Sequence, residues 1–215
     1  MIHELGKGNS LLCQFISELR DAEIQQDSMR FRRNLERVGE ICAYEISKHL
    51  NWIKKDVTTP LGVAEVSVLE EQPVIATIIR AGLPFHQGFL NYFDKAENAF
   101  ISAYRKHEKD GSFRIEVEYM ACPDLNGKTL ILCDPMLASG QSIDHVLKEL
   151  MHKGRPKNIF VVSVIASTWG IEYVKKHLPL NTSLWVCAID EELTAQAYIV
   201  PGLGDAGDLA FGEKL

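Results

Sequence analysis

The sequence predicts an α/β fold, with an open, mostly parallel sheet and helices on both of its faces. Short apolar runs rich in valine, isoleucine and aromatic residues alternate along the chain with stretches of helical periodicity. The runs are continuously apolar, which is typical of parallel strands covered on both faces. They are VIATII (74–79), AFISAY (99–104), TLILC (129–133), IFVVSVIAS (159–167) and SLWVCAI (183–189). Ligands of such sheets bind at the carboxyl ends of the strands, so we expect the site there.

Length and composition predict a single globular domain spanning residues 1–215. The 215 residues are 46% hydrophobic and 24% charged, and no repeat or Pro/Gly/Ser-rich linker marks a boundary. The formal net charge of −6 argues against a generic nucleic-acid or anionic-membrane binder. The longest uncharged stretch, residues 158–171, is 14 residues long. A membrane span needs about 20, so no membrane segment is expected.

The cysteines and the first residues predict a cytoplasmic protein. Five cysteines lie far apart, without a C-x-x-C pair, which argues against a disulfide framework or a zinc site. They are Cys13, Cys42, Cys122, Cys133 and Cys187. The opening MIHELGKGNS lacks the apolar core of a secretory signal. We therefore expect buried free thiols in a reducing compartment.

The first fifty residues predict two amphipathic helices. Ser10 can cap the first, whose apolar face would be Leu11, Leu12, Phe15, Ile16 and Leu19. The second, longer helix would bury Phe31, Leu35, Val38, Cys42 and Ile46. Its opposite face is strongly charged from Arg30 to Glu40. We expect that face to be solvated, and contact with a second subunit is the alternative.

After the helices the periodicity changes. Residues 57–69 predict a strand pair or arm around Pro60-Leu61-Gly62. Residues 84–93, 140–153 and 170–177 predict helices between the apolar runs. Residues 113–119 alternate between apolar and polar, so we expect one arm of an exposed hairpin there.

The segment most informative about function follows the third apolar run. Asp134 ends the predicted strand, and Ser139, Gly140, Gln141 and Ser142 lead into a helix. Free backbone N–H groups and two hydroxyls at a helix N-terminus can bind an anion. Asp134 can accept both hydroxyls of a sugar diol. The spacing predicts a ribose-5-phosphate site, and the alternative is that Ser139–Ser142 only cap a helix.

Two other nucleotide-binding motifs are excluded. The sequence has no G-x-x-x-x-G-K-[ST], which argues against a Walker-type NTPase. Gly202-x-Gly204-x-x-Gly207 spells the dinucleotide pattern, but the eight residues after Gly207 leave no room for the rest of that unit. The glycine-dense loop 201–208 can instead approach a flat ligand closely. The alternative is an ordinary surface turn.

Four segments together resemble the uracil phosphoribosyltransferases. DPMLASGQS (134–142) resembles the phosphoribosyl-diphosphate loop of that family, D-P-M-L-A-T-G-G-S. IIRAGL (78–83) is similar to I-L-R-A-G-L, and Tyr104-Arg105 to Y-R. YIVPGLGDAGDLAFG (198–212) resembles the C-terminal uracil-binding segment. The matches occur in family order and at family spacing, over residues 74–212.

The chain departs from the family pattern in three places. Ser139 replaces a threonine and Gln141 replaces a glycine. After Arg105, KHEKDGSFRIEVEY stands where the family has N-E-E-T-x-x-P. The resemblance implies the type I phosphoribosyltransferase fold, with N-terminal helices and a small C-terminal hood.

The resemblance also implies a reaction and roles for residues. Uracil and 5-phosphoribosyl diphosphate would give UMP and diphosphate, a pyrimidine salvage step. The catalytic residues would be Arg80, Arg105, Asp134 and Asp205. The phosphoribosyl diphosphate would be bound by Arg80, Arg105, Asp134, Pro135, Met136, Leu137, Ala138, Ser139, Gly140, Gln141, Ser142 and Asp205. Uracil would be bound by Ile199, Gly204, Asp205 and Ala206.

Cofactor and partners follow from the same resemblance. Mg²⁺ would arrive on the substrate diphosphate, without direct protein ligands, and Asp205 would reach its waters. We expect a homodimer or homotetramer, and GTP is a candidate effector because it activates some relatives. Two alternatives stay open here: a phosphoribosyltransferase for a purine base or orotate, and a non-catalytic regulator that keeps the ribose site.

Overall fold

The computed structural model describes residues 1–107 and 113–214, and of residues 104–107 and 113–115 only the backbone. The helices are α1 (Leu11–Arg20), α2 (Ser28–Ser47), α3 (Gly82–Leu90), α4 (Gln141–Met151), α5 (Thr168–His177) and α6 (Ala206–Phe211). The first strands are β1 (Ile2–Glu4), β2 (Trp52–Thr59), β3 (Gly62–Leu69), β4 (Val74–Ile79), β5 (Glu97–His107) and β6 (Phe113–Ala121). They are followed by β7 (Thr129–Cys133), β8 (Met136–Leu137), β9 (Asn158–Ser167), β10 (Thr182–Asp190), β11 (Glu192–Leu193) and β12 (Ile199–Val200).

The central sheet confirms the predicted fold class. Within the described residues its strand order is β1-β10-β9-β7-β4-β5-β6, and β8 pairs with β9. All of these pairings are parallel except β5 with β6. Strands β4 and β7 have the predicted bounds. The observed β5, β9 and β10 are longer than predicted, by one to three residues at one end or at both ends. The antiparallel β6 confirms the hairpin predicted over residues 113–119.

The sheet is covered on both faces, which explains its continuously apolar strands. Alternate residues of one strand enter different clusters: Ile131 and Cys133 pack with α1, α2 and α3. Leu130 and Leu132 pack with α4 and α5 on the other face. Successive side chains of a strand point to opposite faces, so a strand buried on both sides needs apolar residues at every position.

The two N-terminal helices agree with the prediction except at the start of α1. All five apolar residues predicted for α2 are buried, and Leu12, Ile16 and Leu19 are buried on α1. Leu11 was assigned to that face wrongly, because it is 70% exposed. It lies about 100° around the helix from Leu12, outside the buried stripe. Ser10 occupies the N-cap position of α1, but its side chain makes no capping hydrogen bond.

Helix α2 is held against its neighbours by close backbone packing and by a few of its charges. A Cβ atom on Gly39 would lie 2.3 Å from the carbonyl oxygen of Phe85, so α2 and α3 touch through their backbones. On the charged face Arg33 is exposed and pairs with Glu36, and whether that face is solvated or contacts a second subunit stays a prediction. Arg32 differs, since its Nη1 donates to the carbonyl oxygen of Ala210 at 2.7 Å.

The hairpin of β2 and β3 lies outside this layered core. Strands β2 and β3 form an antiparallel hairpin in register from Trp52 opposite Leu69 to Thr59 opposite Gly62. This confirms the predicted arm, which begins five residues earlier than expected; every residue of β2 is exposed.

Among the described residues, the helices are too short or too polar to span a bilayer.

Candidate active site

Two neighbouring strand ends bring the predicted diphosphate and ribose residues to one edge of the sheet. Strands β4 and β7 are adjacent and parallel, with Thr77 opposite Cys133. Arg80 and Asp134 follow the ends of these strands, so both lie at the carboxyl edge. Gly82 begins α3 there, where an added Cβ would lie 2.2 Å from the Thr77 hydroxyl oxygen. A side chain at position 82 would therefore separate α3 from the edge of the sheet.

The loop 134–142 connects β7 to α4 and forms a small pocket. Its lining residues are Asp134, Met136, Leu137, Ala138, Ser139, Gly140, Ser142 and Ile143. Seven of the nine predicted loop residues are among them; Pro135 and Gln141 are not. The carbonyl oxygen of Pro135 instead accepts from the amides of Val164 and Ile165, and Gln141 is exposed. Pro135 thus ties the loop to β9.

The shape of the loop depends on two glycines and one hydroxyl. Gly140 has a φ of +80°, and it precedes the first residue of α4. On the facing helix α5, a Cβ on Gly170 would lie 2.2 Å from the carbonyl oxygen of Ala138. The Ser167 hydroxyl donates to that same oxygen at 2.6 Å. The loop is therefore pressed against α5, while the first amides of α4 lack intrahelical acceptors, as at every helix start.

Asp134 is half-buried beside this pocket. Its backbone N–H donates to the carbonyl oxygen of Val162 at 3.1 Å, and its Oδ1 accepts from the amide of Met136 at 3.3 Å. Cys133, directly before it, is fully buried. Burial, and then the charge of Asp134, raises the pKa of the Cys133 thiol well above its usual value. The thiol stays protonated and does not serve as a nucleophile.

Arg80 makes contacts that the sequence did not indicate. Its Nη2 lies 2.8 Å from Oδ1 of Asp208, and its Nη1 donates to the carbonyl oxygen of Gly212 at 3.1 Å. Both partners belong to the C-terminal segment around α6. The predicted diphosphate residue therefore joins the strand edge to the predicted base-binding segment.

Arg105 lies on β5, the strand next to β4. Its backbone is paired with Ile115 of β6, beyond the point where β4 ends. Its side chain lies outside the described part of the structure. The prediction that this guanidinium binds diphosphate stays a prediction.

The predicted uracil residues lie in one C-terminal segment. Ile199 is buried on β12, opposite Leu193 of β11, and Ala206 is buried at the start of α6. Gly204 is exposed and has a φ of +89°. Asp205 is the N-cap of α6, and its Oδ1 accepts from the amides of Gly207 at 2.8 Å and Asp208 at 3.0 Å. The segment is a turn in which Gly204 is exposed while Gly202, Leu203 and Ala206 are buried, and its close approach to a flat ligand stays a prediction.

Sequence reasoning missed four residues that hold this segment. Arg20 and Asp190 bind the backbone of Gly202, Arg32 binds that of Ala210, and Asp208 pairs with Arg80. In the sequence, Arg32 belongs to the charged face of the second helix and Asp208 to the segment 198–212, and neither pattern indicates a contact. Three of the four contacts join residues more than 120 positions apart, so no local pattern signals them.

Potential metal ligands are scattered among the described residues. Among them, no three histidine, cysteine, aspartate or glutamate side chains form a group that could hold a metal ion. Near the strand edge, Asp205 and Asp208 have Oδ1 atoms already bonded within the protein. A Mg²⁺ ion here would need most of its oxygen ligands from a substrate and from water.

The chain is similar to known proteins over almost its whole length. The family model for uracil phosphoribosyltransferase matches residues 8–213. A protein of Porphyromonas gingivalis named uracil phosphoribosyltransferase is 56% identical over 215 residues, covering 100% of this chain and 99% of its own length.

Solved structures extend the comparison to the fold. The AQ2163 protein from Aquifex aeolicus is 29% identical, with a TM-score of 0.87 over 99% of this chain and 98% of its own. A hypoxanthine phosphoribosyltransferase from Staphylococcus aureus is 8% identical, with a TM-score of 0.51 over 75% of this chain and 76% of its own. The second likeness shows the shared fold alone. From its near full-length match to the family model and to a close relative, the chain belongs to the uracil phosphoribosyltransferase family.

Proposed function

We propose that this protein transfers the phosphoribosyl group of 5-phosphoribosyl diphosphate to uracil, giving UMP and diphosphate. The observation that carries the proposal is the contact of Arg80 with Asp208 and Gly212. It links the C-terminal segment that carries residues 199–206 to the sheet edge where Asp134 and the loop 134–142 lie. The proposed base, ribose and anion sites would then meet in one place, as the transfer requires.

The loop 134–142 would hold the ribose 5-phosphate. Its Ser139 and Ser142 line the pocket, and the N-terminus of α4 supplies amide donors and a partial positive charge. Asp134 at the pocket rim has the acceptor oxygens that a ribose diol needs. Supporting this assignment, the pocket combines donors for a phosphate and an acceptor for hydroxyls within a few residues.

Arg80 would bind the diphosphate. A guanidinium makes paired hydrogen bonds to phosphate oxygens, and this one lies at the rim with its side chain 36% exposed. Arg105 on the adjacent strand would be the second clamp. Negative charge grows on the leaving diphosphate in the transition state, so cations placed there stabilise it.

Uracil would be read by backbone groups of Ile199 and of Gly204–Ala206. The N–H groups of that turn can donate to O2 and O4 of the base, and a carbonyl can accept from N3–H. Uracil N1 then bonds to C1 of the ribose as the bond from C1 to the diphosphate oxygen breaks. The electron pair of that bond leaves with the diphosphate, and the N1 proton passes to water. We assign no covalent enzyme intermediate, since the nearby Cys133 is buried and protonated.

Mg²⁺ is proposed as the cofactor, bound to the substrate diphosphate. It would neutralise the charge of the leaving group. Asp205 is the residue that would bind waters of the ion, through the carboxylate oxygen that does not cap α6.

The assembly and location are proposed on other grounds. The exposed hairpin β2–β3 carries apolar side chains, which supports a homodimer or homotetramer. All five cysteines are free thiols, which fits a cytoplasmic protein. GTP stays a candidate effector, to be tested by adding it to the assay.

The test is formation of UMP from labelled uracil and phosphoribosyl diphosphate in the presence of Mg²⁺. We expect UMP and diphosphate in equal amounts, and loss of turnover when the metal is chelated. A folded protein that makes no UMP, or that prefers hypoxanthine or orotate, would contradict the proposal.

A further inference from the structure

A partly buried ion pair lies next to the C-terminal segment 199–212, which we call the base segment. Asp190 ends β10 and is 6% exposed. Arg20, the last residue of α1, donates to both of its carboxylate oxygens, with Nη2–Oδ1 at 2.7 Å and Nη1–Oδ2 at 2.8 Å. This paired geometry fixes both side chains, because the planar guanidinium matches the carboxylate at two points.

The ion pair binds both polar backbone groups of a single residue, Gly202. The Gly202 N–H donates to Oδ2 of Asp190 at 2.9 Å. The Gly202 carbonyl accepts from Nη1 of Arg20 at 3.0 Å. A residue held at its donor and its acceptor by a rigid pair has little freedom to shift.

Gly202 is placed so that its position decides that of the base-reading backbone. It follows Ile199 by three residues and precedes Gly204 by two. Its φ is +60°, and an added Cβ would lie 2.1 Å from the carbonyl oxygen of Ile199. The turn therefore packs closely against the backbone of Ile199. A displacement of Gly202 would move Ile199 on one side and Gly204 on the other.

A further contact from the N-terminal segment supports the same turn. With its amide nitrogen facing the carbonyls, Gln25 donates to Leu203 at 2.8 Å and to Leu19 at 3.2 Å. Leu203 is buried directly after Gly202. Residues 20–25 thus contact two successive residues of the base segment.

We propose that Arg20 and Asp190 are positioning residues for the base: they hold the backbone of Ile199 and Gly204–Ala206 where it reads uracil. The inference rests on the proposed function, since it concerns the same site. Neither side chain is assigned to touch the substrate, and both act through Gly202. The N-terminal helix α1 is thereby part of the base site, although its sequence carries no motif of it.

The position of the pair predicts which kinetic constant it controls. Asp190, with Arg20 bound to it, lies at the end of β10. Arg80 and Asp134 follow β4 and β7, and β9 lies between β10 and β7. Losing the pair should therefore disturb the base and spare phosphoribosyl diphosphate. A displaced backbone loses hydrogen bonds to the bound base, each worth roughly 10- to 100-fold in affinity, so we expect the KM for uracil to rise roughly 10- to 100-fold in Arg20→Ala.

The experiment compares KM for uracil and KM for phosphoribosyl diphosphate in the full-length wild type, Arg20→Ala, Arg20→Lys and Asp190→Asn. Lys175→Ala is the matched control, because it removes a cation from an exposed pair with Glu172 on α5. We expect Arg20→Ala and Asp190→Asn to raise KM for uracil with little change in KM for phosphoribosyl diphosphate. Arg20→Lys keeps the charge but not the paired geometry, so its effect should be intermediate.

The outcomes separate this inference from the proposed function. A wild type without UMP formation contradicts the proposed function itself. An active wild type, with Arg20→Ala and Arg20→Lys folded and the two KM values unchanged, overturns the positioning role. A merely structural role would lower the fraction of active enzyme, which reduces kcat and leaves both KM values as they were. If Arg20→Ala does not fold, Arg20→Lys and Asp190→Asn decide the question by the same two constants.

Discussion

The guanidinium of Arg80 lies 2.8 Å from the carboxylate of Asp208, across 128 residues of sequence. Arg80 follows β4 at the sheet edge, and Asp208 lies on α6 within the base segment. An incoming diphosphate would meet a guanidinium that is already oriented by Asp208 and by the carbonyl of Gly212. Because Arg80 contacts Asp208 and Gly212, a diphosphate bound to Arg80 would also affect the position of the base segment.

Replacing Arg80 should weaken phosphoribosyl diphosphate binding. We expect Arg80→Ala to lose about 1.5–3 kcal/mol, the range for hydrogen bonds to charged groups. The measurement is titration of this substrate with Mg²⁺ by calorimetry. Asp208→Asn is the control, because it removes the ion pair and keeps the guanidinium, so its affinity should fall much less. Equal losses in the two variants would mean that Arg80 acts only through Asp208.

Replacing Asp134 should reduce turnover while the fold is kept. An amide cannot accept from two ribose hydroxyls as a carboxylate does. We expect kcat/KM of Asp134→Asn to fall about 10- to 100-fold, which corresponds to 1.5–3 kcal/mol. The matched control is Asp124→Asn, an exposed aspartate before the amino end of β7. Wild-type kinetics in a folded Asp134→Asn protein would remove Asp134 from the site.

Base selection should follow the polarity of the backbone segment. Cytosine presents an amine where uracil has O4 and an unprotonated N3 where uracil has N3–H. Two buried mismatches at about 1–3 kcal/mol each predict roughly 10²- to 10⁴-fold discrimination. 5-Fluorouracil keeps both hydrogen-bonding edges and should be accepted. The ratio of kcat/KM among these bases measures this, and comparable turnover of cytosine would show that the segment does not read uracil.

Acid stability should depend on Glu18, which joins α1 to α2. Hydrogen bonds from Asn34 and then Arg30 lower the pKa of the Glu18 carboxyl from 4.5 to about 2. A lowered pKa in the folded state stabilises the protein above pH 4.5, and this contribution is lost as the pH falls toward 2. Glu18→Gln should lower the free energy of unfolding at pH 7 by about 1 kcal/mol and have a shallower decline in acid. Urea titrations at several pH values test this; parallel curves for the two proteins would exclude the effect.

The hairpin β2–β3 should contribute to self-association. Its turn residue Leu61 is fully exposed, and Val63 beside it is 69% exposed. We expect sedimentation velocity at micromolar concentration to show a dimer or tetramer, and Leu61→Asp with Val63→Asp to shift it toward monomer. Leu180→Asp, at another exposed leucine, is the control. A monomeric wild type would refute the assembly.

Much of this protein was determined by the sequence alone, because the signals are local. The continuous apolar runs determined the strands, since each residue of β4 and β7 faces one of two covered surfaces. The segment 134–142 predicted the loop between β7 and α4 as a candidate anion site, because donors, hydroxyls and a helix start lie within nine residues of each other. The family resemblance rests on such local segments, and the matches confirm it.

The tertiary structure alone decided which distant residues complete the site. Arg20 reads as the end of an amphipathic helix and Asp190 as a polar residue after a strand, yet packing of α1 against the sheet edge joins them to Gly202. Leu11 fits the apolar pattern of α1 but is left exposed, because the neighbouring surface covers only the stripe of Leu12, Ile16 and Leu19. Local periodicity states which residues can be buried or paired. Which partner each one meets depends on contacts between elements far apart in the chain, and only the folded packing determines those.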